Sequence, residues 1–448
     1  MERKRAMSQE RVTITRRGVE RVRGGHLWVY RSDVSDAGAQ GGATVRVEDE
    51  RGRFVGHALY SARSEIALRV LTTKDEAVDR EWWRGRLRAS ASRRAGVERE
   101  ADAFRLVYSE GDLLPSLIVD RYADVLALQT LSQGTEALKA TLVELLVEEF
   151  APRAVVERND VRVRSLEGLP LRAGVLYGEA PEELEVVQHG TRLRVAPLAG
   201  QKTGAFLDQR ENHLAARSHA RGRALDCFTF NGGFALSIAQ ACESVVALDI
   251  SADAVAAARR NAELNGATNV SFSEANVFDA LREMESAGER FQTIVLDPPA
   301  FAKNRASVPA AARGYKEINL RALKMLSAGG TLVTCTCSYH MTEPLFLELI
   351  AEAAADARRR VQIVERRTQG RDHPVLVGVP ETLYLKCVVA RGVVCGRARR
   401  VALPGKAKWP AADLRKLLTR HWENDFANEC ESRMYLDSGV RSVATLCG

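Results

Sequence analysis

The sequence predicts an α/β protein in which a Rossmann-like, doubly wound and mostly parallel sheet follows an N-terminal β-barrel and a small central α+β domain. Three observations carry this reading. From Arg223 onward, short apolar runs alternate regularly with helical segments, the pattern of βα units. Residues 11–72 instead alternate apolar and polar positions in short stretches broken by Gly, Asp and Ser. A chain of 448 residues has room for roughly two to four domains with well-filled cores.

Composition narrows the class. With 46% hydrophobic and 27% charged residues, the chain reads as globular and water-soluble. No apolar run approaches the roughly 18 residues of a membrane span. Met1-Glu2-Arg3-Lys4-Arg5 leads into no apolar segment and does not read as a secretory signal. Eight cysteines without paired CxxC spacing argue against a disulfide framework or a metal site, and for a reducing cytoplasm. Residues 1–31 carry nine Lys/Arg against three acids and residues 391–448 eleven against six, which leaves the body between them net acidic. Such a basic head suggests a polyanion-binding module.

The barrel is expected over 11–73, from Val12–Ile14, Ala43–Val47, Gly52–Tyr60 and Ile66–Leu71. Within it lies Gly24-Gly25-His26-Leu27-Trp28-Val29-Tyr30, flanked by Arg21, Arg23 and Arg31. Arginines beside stacking rings suit RNA, so Arg21, Arg23, His26, Tyr30 and Arg31 are candidate contacts, with Trp28 assigned to the core. The central domain, 74–190, is expected to have a helix up to about Gly96 and antiparallel strands around Leu106, Val119 and Leu126. A second helix, Glu136–Phe150, and closing strands at Ala154–Glu157 and Leu184–Val187 complete it. It holds no catalytic constellation and serves to join the barrel to the sheet and shape a cleft.

The third domain, 191–391, opens with a polar loop, Gln201-Lys202-Thr203-Gly204-Ala205-Phe206-Leu207-Asp208-Gln209-Arg210, placed to fold over the sheet's carboxyl edge. The first βαβ unit runs from Leu225-Asp226-Cys227-Phe228 through Asn231-Gly232-Gly233 to a second strand ending at Asp249. Ligands of open α/β sheets bind outside the carboxyl ends of strands, and an acid about 20 residues on takes a ribose hydroxyl pair. One Gly-Gly pair, rather than Gly-x-Gly-x-x-Gly, argues against a dinucleotide and for a nucleoside without phosphate, S-adenosylmethionine being the expected one. Further strands at Val270–Phe272, Thr293–Asp297 and Thr331–Ser338 continue the sheet, and Val375–Val377 with Leu383–Cys387 are expected to close it as an antiparallel pair. Residues 392–448 form an unassigned basic extension.

Two strand ends carry the chemistry. Asp297-Pro298-Pro299 leaves one rigidly, because two prolines fix the backbone and remove two donors, and its acid can hold or shuttle a proton on a target base. The next strand end supplies Cys335 and Cys337. C5 of cytosine does not attack a methyl group unaided, but a thiolate adding at C6 makes C5 enamine-like. A strand cysteine is more often buried filler; beside Asp-Pro-Pro, Cys337 is the favoured nucleophile because it lies nearer the strand end.

From about Val12 to Arg391 the chain resembles the bacterial 23S ribosomal RNA 5-methylcytosine methyltransferases of the large subunit methyltransferase I family. These pair a PUA domain, a small RNA-binding barrel, with a class I methyltransferase domain. The resemblance rests on Gln201-Lys202-Thr203-Gly204 with Phe206–Arg210, Leu225–Phe228 with Gly232-Gly233-Phe234, and Asp297-Pro298-Pro299 with Phe301. Arg313-Gly314-Tyr315-Lys316, Cys337-Ser338 and Asp372-His373-Pro374 complete it. It implies that S-adenosylmethionine is lined by Lys202, Thr203, Gly204, Phe206, Gln209, Arg210, Asp226, Phe228, Asn231 and Gly232. Asp249, Ile250, Asn276, Val277, Asp297 and Pro298 complete that lining, with Cys337 and Asp297 catalytic. The implied partners are 23S rRNA or a large-subunit precursor particle and a second copy of the chain, with no membrane.

The chain departs from the family pattern where Asn276 replaces an acid, Ala300 a lysine and Cys335 an aromatic residue. Asn276 can still accept a hydrogen bond. No base for the C5 proton is identified. Two rival readings remain: methylation of a base nitrogen through Asp297-Pro-Pro with Cys337 structural, and a ribosome assembly factor that binds RNA without catalysis.

Overall fold

The computed structural model describes residues 10–200 and 203–393. The expectations for Lys202 and for the extension from residue 394 onward lie outside the described residues.

The N-terminal module is a six-stranded mixed sheet in the order Trp28–Tyr30, Ile66–Thr72, Phe54–Tyr60, Thr44–Asp49, Arg11–Ile14, Val34–Gly38. Its core gathers Val12, Ile14, Val29, Val45, Val47 and Leu68 from alternate positions. The strand-only reading of this region missed the helix Arg16–Arg23. Thr15 caps that helix by accepting from Gly18 N–H, and it buries little beyond Gly18, Val19 and Val22. Four arginines in eight residues hide so small an apolar stripe from a periodicity argument.

The central domain holds a five-stranded sheet in the order Arg172–Gly178, Ala154–Asn159, Val125–Thr130, Leu117–Tyr122, Ala103–Tyr108. Helices Arg80–Ser92 and Lys139–Phe150 cover one face through Trp83, Leu87, Leu142 and Leu145. Leu184–Gln188 does not close this sheet as expected. It pairs with Thr191–Val195 as a separate hairpin, and the fifth strand is Arg172–Gly178, paired antiparallel with Ala154–Asn159. The sheet's other face, with Tyr122, Ala127 and Val156, belongs to one apolar cluster with Leu193 of the hairpin and Phe234 and Ile238 of the third domain. The two sheets therefore stand on a common core, which fixes the cleft between them.

The third domain is a seven-stranded sheet flanked by helices. Its elements are α1 (Arg210–His219), β1 (Arg223–Cys227), α2 (Gly233–Ala239), β2 (Ser244–Asp249), α3 (Ala252–Leu264), β3 (Val270–Glu274), α4 (Val277–Ser286), β4 (Phe291–Leu296), α5 (Val308–Met325), β5 (Leu326–Thr336), α6 (Glu343–Asp356), β6 (Val361–Arg367) and β7 (Lys386–Gly392). The strand order is 3-2-1-4-5-7-6, parallel except for β7, which is antiparallel to both β5 and β6. The order reverses between β1 and β4, the switch point at which such sheets bind ligands.

The closing pair differs from expectation. Val375–Val377 is not a strand, and Val377 is 95% exposed. The edge strand is β6, whose alternation is masked by charged residues and broken by a register shift between Ile363 and Glu365.

Candidate active site

A cavity of about 640 Å³ opens at the carboxyl ends of β1, β2 and β4. The turn after β1 shapes it with unusual backbone. Phe228 and Phe230 adopt φ of 66° and 50°, and Gly232 one of 89°. Left-handed aromatic residues are costly and persist where surrounding structure fixes them. The Asp249 carboxylate does so here: Oδ2 accepts from Phe230 N–H at 2.9 Å and Oδ1 from Ser251 N–H at 2.9 Å. Opposite, the Phe206 and Phe230 rings meet edge-on at 4.8 Å.

The sequence-predicted residues divide into two groups. Phe206, Gln209, Phe228, Asn231, Asp249, Ile250, Asn276, Val277, Asp297, Pro298 and Cys337 all line the cavity. Thr203, Gly204, Arg210, Asp226 and Gly232 support it from behind. Thr203 Oγ1 donates to Asp120 Oδ2 at 2.6 Å and lies 2.9 Å from the Tyr122 hydroxyl, which also accepts from Ala205 N–H at 3.2 Å. The loop is thereby moored to the central sheet, and Gly204 at φ 140° packs against the Tyr122 ring. Arg210 is fully buried and donates to both oxygens of Asp372, at 3.0 and 3.4 Å. Against the effect of burial, His373 first and then Arg210 hold the Asp372 carboxyl well below the usual carboxylate range. The Asp372-His373 pair is thus a brace beneath the loop.

Asp226, at the end of β1, is fully buried. Thr229 Oγ1 donates to its Oδ2 at 2.7 Å, while Oδ1 has no hydrogen-bond partner. Burial first, and then the neighbouring Asp297 and Asp249, push its carboxyl up to about 7. Two acids on the wall of an aromatic-lined cavity, Asp249 and Asp297, with a third, Asp226, buried behind them, suit a ligand that joins a nucleoside to positive charge. Asn276 caps α4 by accepting from Phe278 N–H at 3.0 Å, and its oxygen retains a second lone pair.

The chemical end of the cavity lies between β4 and β5. Gln209 Nε2 donates to Asp297 Oδ1 at 2.8 Å, and Asn212 in turn fixes Gln209 at 2.7 Å. Cys337 is the first residue beyond β5, half-buried, with its sulfur 4.0 Å from the Pro298 carbonyl oxygen. Cys335, two residues earlier, is completely buried opposite Cys387, and burial pushes its thiol far up. The backbone around Cys337 is set by Ser338, whose Oγ accepts from Ala302 N–H and lies 3.1 Å from the Tyr315 hydroxyl. The Phe301 and Tyr315 rings meet at a tilt, 4.7 Å apart, which joins α5 to the cavity wall.

Sequence reasoning passed over Lys386, the first residue of β7. It is 7% exposed, and its Nζ donates to the carbonyls of Ser338 and Tyr384, each at 3.0 Å. The apolar segment Leu383–Cys387 had the look of a plain strand, and only its pairing with β5 brings the lysine to the thiol.

On the N-terminal module, the Arg21 guanidinium lies 4.6 Å above the Tyr30 ring, and Arg23 is exposed. His26 Nε2 stands 3.3 Å from Glu381, between the module and the third domain. Arg31 instead donates to the Ser61 and Ser64 carbonyls and braces its own sheet. Trp28 is half-buried rather than core, and its indole N–H reaches Glu110 Oε1 at 2.9 Å.

Fold and cavity together define a Rossmann-like methyltransferase with an appended small β module. Comparison with known proteins agrees. Residues 132–388 match the family described as S-adenosylmethionine-dependent methyltransferase, and residues 12–73 match the PUA-like domain. A protein of Shewanella amazonensis named ribosomal RNA large subunit methyltransferase I is 43% identical over 376 residues, 82% of this chain and 95% of that protein. One of the same name from Klebsiella pneumoniae is 40% identical over 82% of this chain and 94% of its own length. The chain belongs to the S-adenosylmethionine-dependent methyltransferases, in the ribosomal RNA large subunit methyltransferase I family. The solved structure of SMU.776 complexed with SAH shares the fold, with a TM-score of 0.74 at 18% identity over 85% of this chain and 100% of that one.

Proposed function

We propose that this enzyme methylates C5 of a cytosine in large-subunit ribosomal RNA, through a covalent bond between Cys337 and C6 of the base. The observation that carries the reading is the position of Cys337. Of the two cysteines at the end of β5, Cys335 is sealed in the core, while Cys337 lines the cofactor cavity beside Asp297-Pro298-Pro299. The relatives' names point to ribosomal RNA as the substrate.

Bound S-adenosylmethionine supplies an electrophilic methyl group. Asp249 would hold the ribose hydroxyls and Asn276 the adenine edge, with the buried Asp226 behind the wall supplying negative charge toward the positive end. Phe206, Phe228 and Phe230 exclude water around them. The Cys337 sulfur bonds to C6 of the cytosine, and the C5=C6 electron pair moves to C5, which takes the methyl. Loss of the C5 proton to solvent then returns the pair to the ring as the S–C6 bond breaks and the thiolate leaves. Asp297, oriented by Gln209, faces the base and holds a proton at its ring nitrogen. Arg21, Tyr30 and Arg23 offer charge and a ring face to the RNA outside the target.

RNA carrying 5-fluorocytosine at the target tests the reading, since fluorine cannot leave as a proton and the adduct accumulates. A stable protein–RNA complex that disappears in Cys337→Ala is expected. Normal methylation by Cys337→Ala, with no complex in the parent enzyme, would remove the thiol from the mechanism and favour methylation of a base nitrogen.

A further inference from the structure

We propose that Lys386 is a positioning residue that keeps Cys337 in the thiolate form, the two side chains forming an ammonium–thiolate pair. The inference rests on the assignment of Cys337 as nucleophile. Geometry supports it in two ways. In the β5–β7 ladder Lys386 lies opposite Thr336, the residue before Cys337. Its Nζ ends at the carbonyl of Ser338, the residue after Cys337. The lysine side chain thus runs from beside Thr336 to the Ser338 carbonyl, alongside the backbone that carries the thiol.

The electrostatics of the site point the same way. Lysine is almost never this buried without an anionic partner. The two hydrogen bonds of Nζ go to neutral carbonyls. Glu343, the carboxylate whose field reaches Lys386, is itself engaged in hydrogen bonds from Arg366 at 2.8 and 2.7 Å. The Tyr315 phenol faces Cys337 from α5, and burial keeps it neutral. Cys337 is left as the anion that can neutralise the ammonium. Burial pulls Lys386 down to about 8, and the field of Cys337 acts in the opposite direction.

Proton bookkeeping closes. In the resting pair the proton sits on Nζ and the sulfur carries the electron pair that attacks C6. When the S–C6 bond breaks, the sulfur recovers that pair and the ammonium is unchanged. The lysine takes no proton from C5.

The test is the pH dependence of iodoacetamide alkylation at Cys337 in the full chain, read by mass spectrometry of the peptide that contains it. A free cysteine titrates near ~8.5. The parent protein is expected to show a midpoint at least about one unit lower, and Lys386→Met to raise it by about one to two units, slowing alkylation at neutral pH roughly 10- to 100-fold. Lys386→Arg is expected to retain the low midpoint. A parent midpoint at or above that of free cysteine overturns the proposal, and this measurement needs no variant to fold. A Lys386→Met protein that binds S-adenosylmethionine normally and keeps the parent midpoint overturns it as well. Alkylation involves no RNA, so the 5-fluorocytosine complex reports separately on the cytosine reaction.

Discussion

Replacing Asp226 by asparagine should make the cofactor-free protein more stable above neutral pH while weakening its grip on S-adenosylmethionine. The carboxyl is fully buried with one oxygen unpartnered, and its proton is held to about 7 instead of the ordinary 3.8. Because the folded state binds this proton more tightly than the unfolded chain, ionisation is penalised only in the fold. The penalty is absent below about pH 4, grows as pH rises, and is complete above about pH 7. Roughly three units at 1.36 kcal/mol each give an upper bound of about 4 kcal/mol. Asparagine keeps an acceptor for Thr229 but leaves an amide N–H₂ to bury, at about 1–3 kcal/mol. The net gain at pH 8 is therefore about 1–3 kcal/mol, or a few degrees in Tm for a chain of this size. Thermal melts without cofactor at pH 5, 6.5 and 8 read this directly. The variant should gain on the parent as pH rises and show a flatter profile. Parallel profiles, or a variant that melts lower at pH 8, would refute the argument that Asp226 carries stored electrostatic cost. Calorimetry at pH 8 should show affinity for S-adenosylmethionine reduced about tenfold, because the variant loses a negative charge buried behind the cavity wall.

Other perturbations separate the supporting layer from the cavity. Arg94→Met leaves the buried Asp112 carboxylate without its bidentate partner and removes a hydrogen bond to the Asp372 carbonyl. Arg93 and the Tyr108 N–H still hold that carboxylate, so the substitution should destabilise by about 1.5–3 kcal/mol in denaturant titrations. Tyr122→Phe removes the hydroxyl that Ala205 N–H and Thr203 share, and should cost about 1–2 kcal/mol. Kinetics on that variant should show a raised KM for S-adenosylmethionine with kcat nearly intact, as the loop loosens. Arg21→Ala combined with Arg23→Ala should weaken RNA binding and lower the slope of log affinity against log salt by about one to two. Arg31→Ala should instead lower module stability, because its guanidinium bonds backbone carbonyls. Filter binding across a salt series and melting curves distinguish the two kinds of arginine.

The parallel half of the sheet was legible because buried strands read as short apolar runs and because Asp249, Asp297 and Cys337 end theirs. Apolar patterning says nothing of an edge strand such as β6, half charged and bulged, and Val375-Leu376-Val377 mimicked a strand between Pro374 and Gly378. The helix Arg16–Arg23 was hidden because a small module needs only two valines and a glycine to seat it. At the site, motif positions identified the neighbourhood but not the role. Arg210 and Thr203 belong to the right loop, yet their side chains turn toward Asp372 and Asp120 to hold it in place. Lys386 could not be found from local sequence, since what sets it apart is a ladder partner fifty residues away. Spacing along a chain reports elements, whereas the direction of a polar side chain depends on the partner that satisfies it.

The most direct test of the account is the chemical identity of the product. Large-subunit ribosomal RNA from cells lacking the protein, incubated with enzyme and methyl-labelled S-adenosylmethionine, should yield on digestion a single labelled nucleoside, 5-methylcytidine, and Cys337→Ala should yield none. Label in N4-methylcytidine or in a methylated purine, or undiminished 5-methylcytidine from Cys337→Ala, would contradict attack through C6.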